Sequence, residues 1–528
     1  MPSDTVMPRI APGRSGWPVR ARRHPAAGPG RAGRRGWGVT GRGGPVVVVG
    51  AGLAGLAAAV RLAAAGREVT VVEAADGPGG CCTVERAGPY RFDAGPSVLT
   101  MPEVLAGLFG AAGEELHAWL PLRRLDPAYR LAFPDGTHLD VVPEAEVMAE
   151  RVRELCGPAE AGRYLAYRRR LGELFALAWP AFIDADTARL RSMLRPWTLL
   201  RLAVLGGFRR LDRLAAACLR DDRLVRAHTF QAMYVGLPPH RALGVYAVVA
   251  YMDLVGGVYF PERGGMAAIP AALAALAEKK GAAFRYGVRA VRVETGGDGV
   301  RGVRLADGSA LPARQVVIAC DLPAAHANGL LPAAAADWRL RRPRYSPSCL
   351  VIHAGLDRPL PGQAHHTIHF GRAWHAAFDA LDRGLPQPDP SLLVTHPACD
   401  ADAAPAGQAV LSVLEPAPNL LRADWSRLRP YLEERLLAHL AGLGYPDLSA
   451  RPRLVLDPPA WRRRGHSAGT PFALDQRFTQ TAWFRPAPVA RRVPGLHLAG
   501  MYTAPGIGVP PVLISGRLAA ERVLRERR

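Results

Sequence analysis

Gly50, Gly52 and Gly55 stand at the G-x-G-x-x-G spacing of a turn that carries backbone up to a diphosphate. Glu73 follows where a carboxylate receives ribose hydroxyls. The chemistry implied is dinucleotide binding. The first glycine permits the tight turn, the second lets the backbone approach the phosphates, and the third lets a helix pack on a strand. Ala51, Leu53 and Ala54 lie between them, at a helix start whose free amides and positive dipole end face an anion. A carboxylate at Glu73 repels a 2′-phosphate, which disfavours NADP.

Such a motif recurs by chance in a chain with 56 glycines, so its weight comes from the elements around it. Val46 to Val49 is an apolar run, as in a strand buried on both faces of a parallel sheet. An alanine-rich helical pattern reaches Ala65, Gly66 ends it, and Glu68 to Glu73 predicts a second strand. Together these form one βαβ unit.

Two further blocks narrow the ligand. Pro78-Gly79-Gly80 with Cys81, followed by Arg91 to Pro96, resembles the loop that meets the FAD diphosphate in two-dinucleotide-binding-domain flavoproteins. Near the other end, Gly500 and Met501 follow an apolar strand and precede a Pro/Gly loop and a helix. Val509, Pro510 and Val512 mark that helix start, whose dipole can favour a negatively charged reduced flavin. Val288, in an alternating segment, is expected on the same cofactor. The expected fold class is therefore α/β, a Rossmann-like FAD-binding domain of that flavoprotein type with an inserted mixed sheet and a helical substrate domain.

Phe92 to Ser97, Gly257 to Pro261 with Gly264-Gly265, Ala364 to Thr367, Thr479 to Pro486 and the Gly500 segment carry a wider likeness. On these patches the chain resembles the phytoene desaturase family of bacterial carotenoid synthesis, within the amine-oxidase-like flavoproteins. The resemblance implies an FAD-dependent oxidoreductase acting on a hydrophobic carotenoid precursor, with a quinone or oxygen regenerating the flavin. It also departs from the family pattern. Cys81 stands where arginine is usual, Ala504 where histidine is usual, Pro511 where glycine is usual, and Ser192 follows Arg191 where an Arg-Asp pair is common. No catalytic residue is assigned on this basis. Two alternatives stay open: a carotenoid isomerase, ketolase or retinol-saturase-like flavoenzyme, and a non-catalytic isoprenoid-binding escort.

Tyr234, His366, Trp483 and Phe484 are candidate walls for a polyene pocket, with core packing as the plainer alternative. His365-His366 lacks acids or cysteines at ligand spacing, so no metal is expected. The seven cysteines have no C-x-x-C spacing, which fits a reducing cytoplasm; Cys81-Cys82 reads as a redox pair or as two small loop residues.

The formal charge of +21 invites a nucleic-acid reading, yet Lys279 and Lys280 are the only lysines. Arginine in a GC-rich coding style accounts for the excess, and no nucleic-acid partner is expected. From Arg189 to Arg220 eight arginines interleave with apolar residues including Trp197 and Phe208. This suggests a helix pair at a membrane surface, or else a solvated basic face, and the expected location is cytoplasmic and peripheral to the membrane. Ala242 to Phe260 is apolar but interrupted by Asp253, so a buried helix entering a strand is expected rather than a spanning one.

The expected domains are a disordered basic extension over 1–44, a discontinuous FAD-binding domain over 45–142, 256–328 and 486–528, a helical substrate or membrane-facing domain over 143–255, and a substrate-binding mixed region over 329–485.

Overall fold

The computed structural model describes residues 44–188, 195–234 and 236–526. The expected disordered extension, Gly44 aside, lies outside the described residues, as does the Arg191-Ser192 pair.

β1 (Val46–Val49) is buried along its whole length. It pairs in parallel with β2 (Val69–Val72) on one side and with strand Gln315–Ile318 on the other. Strand Leu496–Leu498 extends the sheet beyond Gln315–Ile318, and Ala283–Arg285 extends it beyond β2. Four separate stretches of chain thus build one five-stranded parallel sheet. With both faces covered, its strands need no polar alternation, which is why the valine run suffices.

α1 (Leu53–Ala64) returns the chain from β1 to β2. It lies so close to the preceding turn that a Cβ on Gly55 would stand 1.9 Å from the Gly50 carbonyl oxygen. The helix Val509–Arg525 packs on α1 just as tightly, and a Cβ on Gly516 would stand 2.1 Å from the Ala54 carbonyl oxygen.

A seven-stranded sheet forms the second layer, in the order Arg453–Leu456, Ser348–Leu356, Ala409–Ala417, Leu392–Thr395, His366–His369, Tyr129–Ala132, His138–Val141. Its last two strands correct the sequence reading, which assigned residues up to 142 to the FAD-binding domain. Tyr129, Leu131, Leu139 and Val141 bury alternate positions, and Tyr129–Ala132 finds its partner in His366–His369, to which it runs parallel.

The stretch after Pro143 is mainly helical. Pro180 sits in a π-helical turn, Trp179–Ile183, that ends the long helix Pro158–Ala178. Pro196 opens helix Pro196–Val204, in the first turn where an absent N–H costs nothing. The apolar run from Ala242 becomes the helix Ala247–Leu254 and then the strand Tyr259–Pro261. Among the described residues no helix is long and apolar enough to cross a membrane.

Candidate active site

At the end of β1, the first turn of α1 has no side-chain cap, so its amides remain available. The Pro78–Gly80 loop is tied over this turn: Gly79 N donates to the Ala51 carbonyl at 2.9 Å, and Gly52 bridges Gly79. Glu73 is held by backbone alone, its Oε2 accepting from Ala51 N (2.7 Å) and its Oε1 from Ala75 N (2.9 Å). A carboxylate has about four acceptor positions, so two stay open for hydroxyls. Val288 N donates to the Glu73 carbonyl at 3.1 Å, behind the carboxylate.

The second helix start is prepared similarly. Val509–Arg525 begins with prolines and no side-chain cap. The turn before it is pinned by Ser515 Oγ, which accepts from Gly500 N at 3.0 Å, and by Thr503 Oγ1, which donates to the Gly500 carbonyl at 2.9 Å.

Both helix starts border one cavity of about 1740 Å³. Single-ligand pockets run to about 1,000 Å³, so there is room for a dinucleotide and a second large molecule. Gly50, Gly52, Leu53, Ala54, Glu73, Gly79, Gly80, Cys81, Gly500, Met501, Val509, Pro510 and Val512 line it, while Ala51, Gly55 and Val288 stand behind that wall. Two uncapped helix starts suit a diphosphate and an electron-rich ring, and the braced carboxylate suits a ribose. The residues present fit FAD.

Away from this end the wall is mostly apolar, with Phe230, Val249, Met252, Phe260 and Ile368. Asp253 belongs to the same wall although it is only 3% exposed. The Tyr129 hydroxyl lies 3.4 Å from its Oδ2, and burial pushes the carboxyl up to about 8, so it is largely protonated at neutral pH. Tyr234 and Phe484 line the cavity as well.

His366 and Trp483 do not. His366 is fully buried under the Tyr129 ring, with Nδ1 3.1 Å from Thr395 Oγ1. Trp483 faces the Arg339 guanidinium beside Trp338. Among the described residues no group of three histidines, cysteines or acids is placed to hold a metal.

Three features escaped the sequence reading. Asp253 registered only as a break in an apolar run. Arg464, paired with Glu85 and lying over the Trp461 ring, brings a guanidinium to the cavity wall shared with Cys81. Burial raises the Cys81 thiol to about 11 and Arg464 opposes that rise, so the thiol is protonated at neutral pH. Arg91 and Asp400 form a buried ion pair on the same cavity. No local motif announces the second or third, because their partners are hundreds of residues apart.

Comparison with known proteins agrees with this geometry. The family of flavin containing amine oxidoreductases matches residues 53–524. The phytoene dehydrogenase of Streptomyces griseus is 45% identical over 490 residues, covering 90% of this chain and 94% of that protein. The zeta-carotene-forming phytoene desaturase of Myxococcus xanthus is 36% identical over 485 residues, covering 91% and 93%. The fold is shared with cyclohexylamine oxidase from Brevibacterium oxydans at 18% identity and a TM-score of 0.57, over 92% of this chain and all of that one. The chain belongs to the phytoene desaturase family of the flavin-containing amine oxidoreductases, and it is an oxidoreductase that uses FAD.

Proposed function

We propose that the protein desaturates phytoene or a related acyclic carotene in carotenoid biosynthesis. The observation that carries this reading is a single cavity joining a dinucleotide grip to a long apolar wall. A hydrocarbon offers no polar handle, so its carbons are held by shape and by exclusion of water. FAD, when bound, supplies the hydride acceptor. Asp253 is the group this chain offers for the accompanying proton. In its ionised form it takes the proton from the carbon beside the one that loses hydride, and the Tyr129 hydroxyl stabilises that form. A quinone or oxygen would serve as the final electron acceptor.

The substrate enters from a membrane surface on the cytoplasmic side. Trp197 (78% exposed), Leu200 and Val204 (73%) share one face of helix Pro196–Val204, with Phe208 just beyond and the exposed Arg195, Arg201, Arg209 and Arg210 around them. Apolar side chains ringed by arginine suit an anionic bilayer, and Phe208, Leu199 and Leu202 also border the cavity. Trp197→Ser with Val204→Ser should cut flotation with anionic vesicles by about fivefold, roughly 1 kcal/mol; unchanged flotation would remove this surface from the proposal.

Expression in cells that accumulate phytoene tests the activity. The product should lose two hydrogens per step and gain longer-wavelength polyene bands. Unchanged absorbance, with folded and flavin-bearing protein present, would overturn the proposal. A product carrying oxygen would indicate the ketolase alternative.

A further inference from the structure

Arg485 is 1% exposed and among the largest fully buried side chains described. Its Nε and Nη2 donate to the Met501 carbonyl at 3.2 and 2.7 Å, and its Nη1 donates to Gln476 Oε1 at 3.0 Å and the Gln480 carbonyl at 3.1 Å. Every one of these acceptors is neutral. Of the groups that act on it, the hydroxyls of Tyr246 and Tyr502 come before the carboxylate of Asp475, which is already engaged: Arg477 Nε reaches its two oxygens at 2.7 and 2.9 Å, and Gln480 Nε2 donates to it at 2.9 Å. Burial lowers the Arg485 guanidinium to about 10, which leaves it charged at neutral pH.

A guanidinium withdrawn from water with no carboxylate in contact is an expensive arrangement. It is reasonable where the compensating anion arrives with a ligand. Arg485 grips Met501 and Gln476, and both line the cavity that holds the two helix starts. The charge therefore lies directly behind the turn leading into helix Val509–Arg525.

We infer that Arg485 is a positioning residue: it locks the Gly500–Met501 turn and supplies the fixed positive charge that favours the anionic, reduced state of the cofactor. This rests on the FAD reading given above. It assigns the tuning of the cofactor to a side chain outside the glycine motifs, in addition to the helix dipole.

The test is the reduction potential of the purified holoprotein, with sulfite affinity of the oxidised flavin as a second readout. Arg485→Gln should lower the two-electron reduction equilibrium at least tenfold, about 30 mV, and weaken sulfite addition by a similar factor. Arg485→Lys keeps the charge and loses the fork, so it should hold the potential near wild type while releasing FAD more readily. A glutamine variant that retains FAD with unchanged potential and sulfite affinity would overturn the inference. If the glutamine variant loses its flavin, the lysine variant decides: a potential near wild type supports the inference, and a tenfold drop overturns it. Wild-type protein that purifies without flavin and does not take up added FAD would instead defeat the FAD reading, and this inference with it.

Discussion

At the dinucleotide end of the cavity the lining is rich in glycine, with Gly50, Gly52, Gly79, Gly80, Gly500 and Gly508, so backbone can come close to a ligand. Across the same cavity, Tyr234, Val249, Met252, Asp253 and Phe260 present side chains. A backbone grip needs a few contiguous residues in one conformation, so it admits little change. A side-chain wall needs only the right volume and polarity, and it is gathered from residues spread between Phe230 and Phe484. The two ends should therefore answer mutation differently.

The contrast is broken most severely at Gly55. Gly55→Ala places a methyl into the Gly50 carbonyl. It should destabilise the protein by more than the ~1–3 kcal/mol of ordinary overpacking and abolish FAD retention, as read by denaturant unfolding and flavin release. Met252→Leu in the opposite wall should cost under about 1.5 kcal/mol and keep FAD. Equal losses from the two changes would erase the distinction.

Asp253 sharpens the comparison from the substrate end. Asp253→Asn should leave FAD and carotene bound but slow flavin reduction by roughly 100-fold or more, the lower range for a lost general base. In wild type the same rate should climb with pH and level off above about 8, because only the ionised carboxylate accepts a proton. Stability should move the opposite way. A carboxyl raised by burial contributes stability that is full below the ordinary carboxylate range and is lost as pH rises through about 8. The asparagine variant should lack that loss, and a single-turnover rate with no pH limb would remove Asp253 from the chemistry.

The smallest effect is expected where the family pattern is broken. Cys81→Arg should keep flavin bound and tighten it by no more than about fivefold, roughly 1 kcal/mol, because Arg464 already brings a guanidinium to that wall. Flavin titration checks this, and expulsion of FAD would show that the loop after Gly80 is misread.

The same difference explains what could be read from sequence. The βαβ unit was legible because a valine run, a glycine turn and an acid lie within one short stretch. The final strand and helix were legible from Gly500 and the prolines. The insertion of Gln315–Ile318 beside β1 was not, since nothing in an apolar strand names its neighbour. Nor was the enrolment of Tyr129–Ala132 in the seven-stranded sheet, which depends on a partner more than 200 residues away. Trp483 and Phe484 are adjacent, yet only the second reaches the cavity. They sit in the 3-10 turn Ala482–Phe484, where successive side chains point about a third of a turn apart. Asp253 shows the same limit: an acid in an apolar run acquires meaning only when a cavity opens beside it.

The contact of Gly516 with Ala54 has a consequence for biosynthesis. Domains generally fold as they leave the ribosome, N-terminal parts first. Here the first glycine turn is synthesised long before the strand and helix that complete its surroundings, Leu496–Leu498 and Val509–Arg525. The cofactor site is therefore complete only once that strand and helix have emerged, and until helix Val509–Arg525 can dock the emerging chain must keep its valine-rich strands from pairing elsewhere.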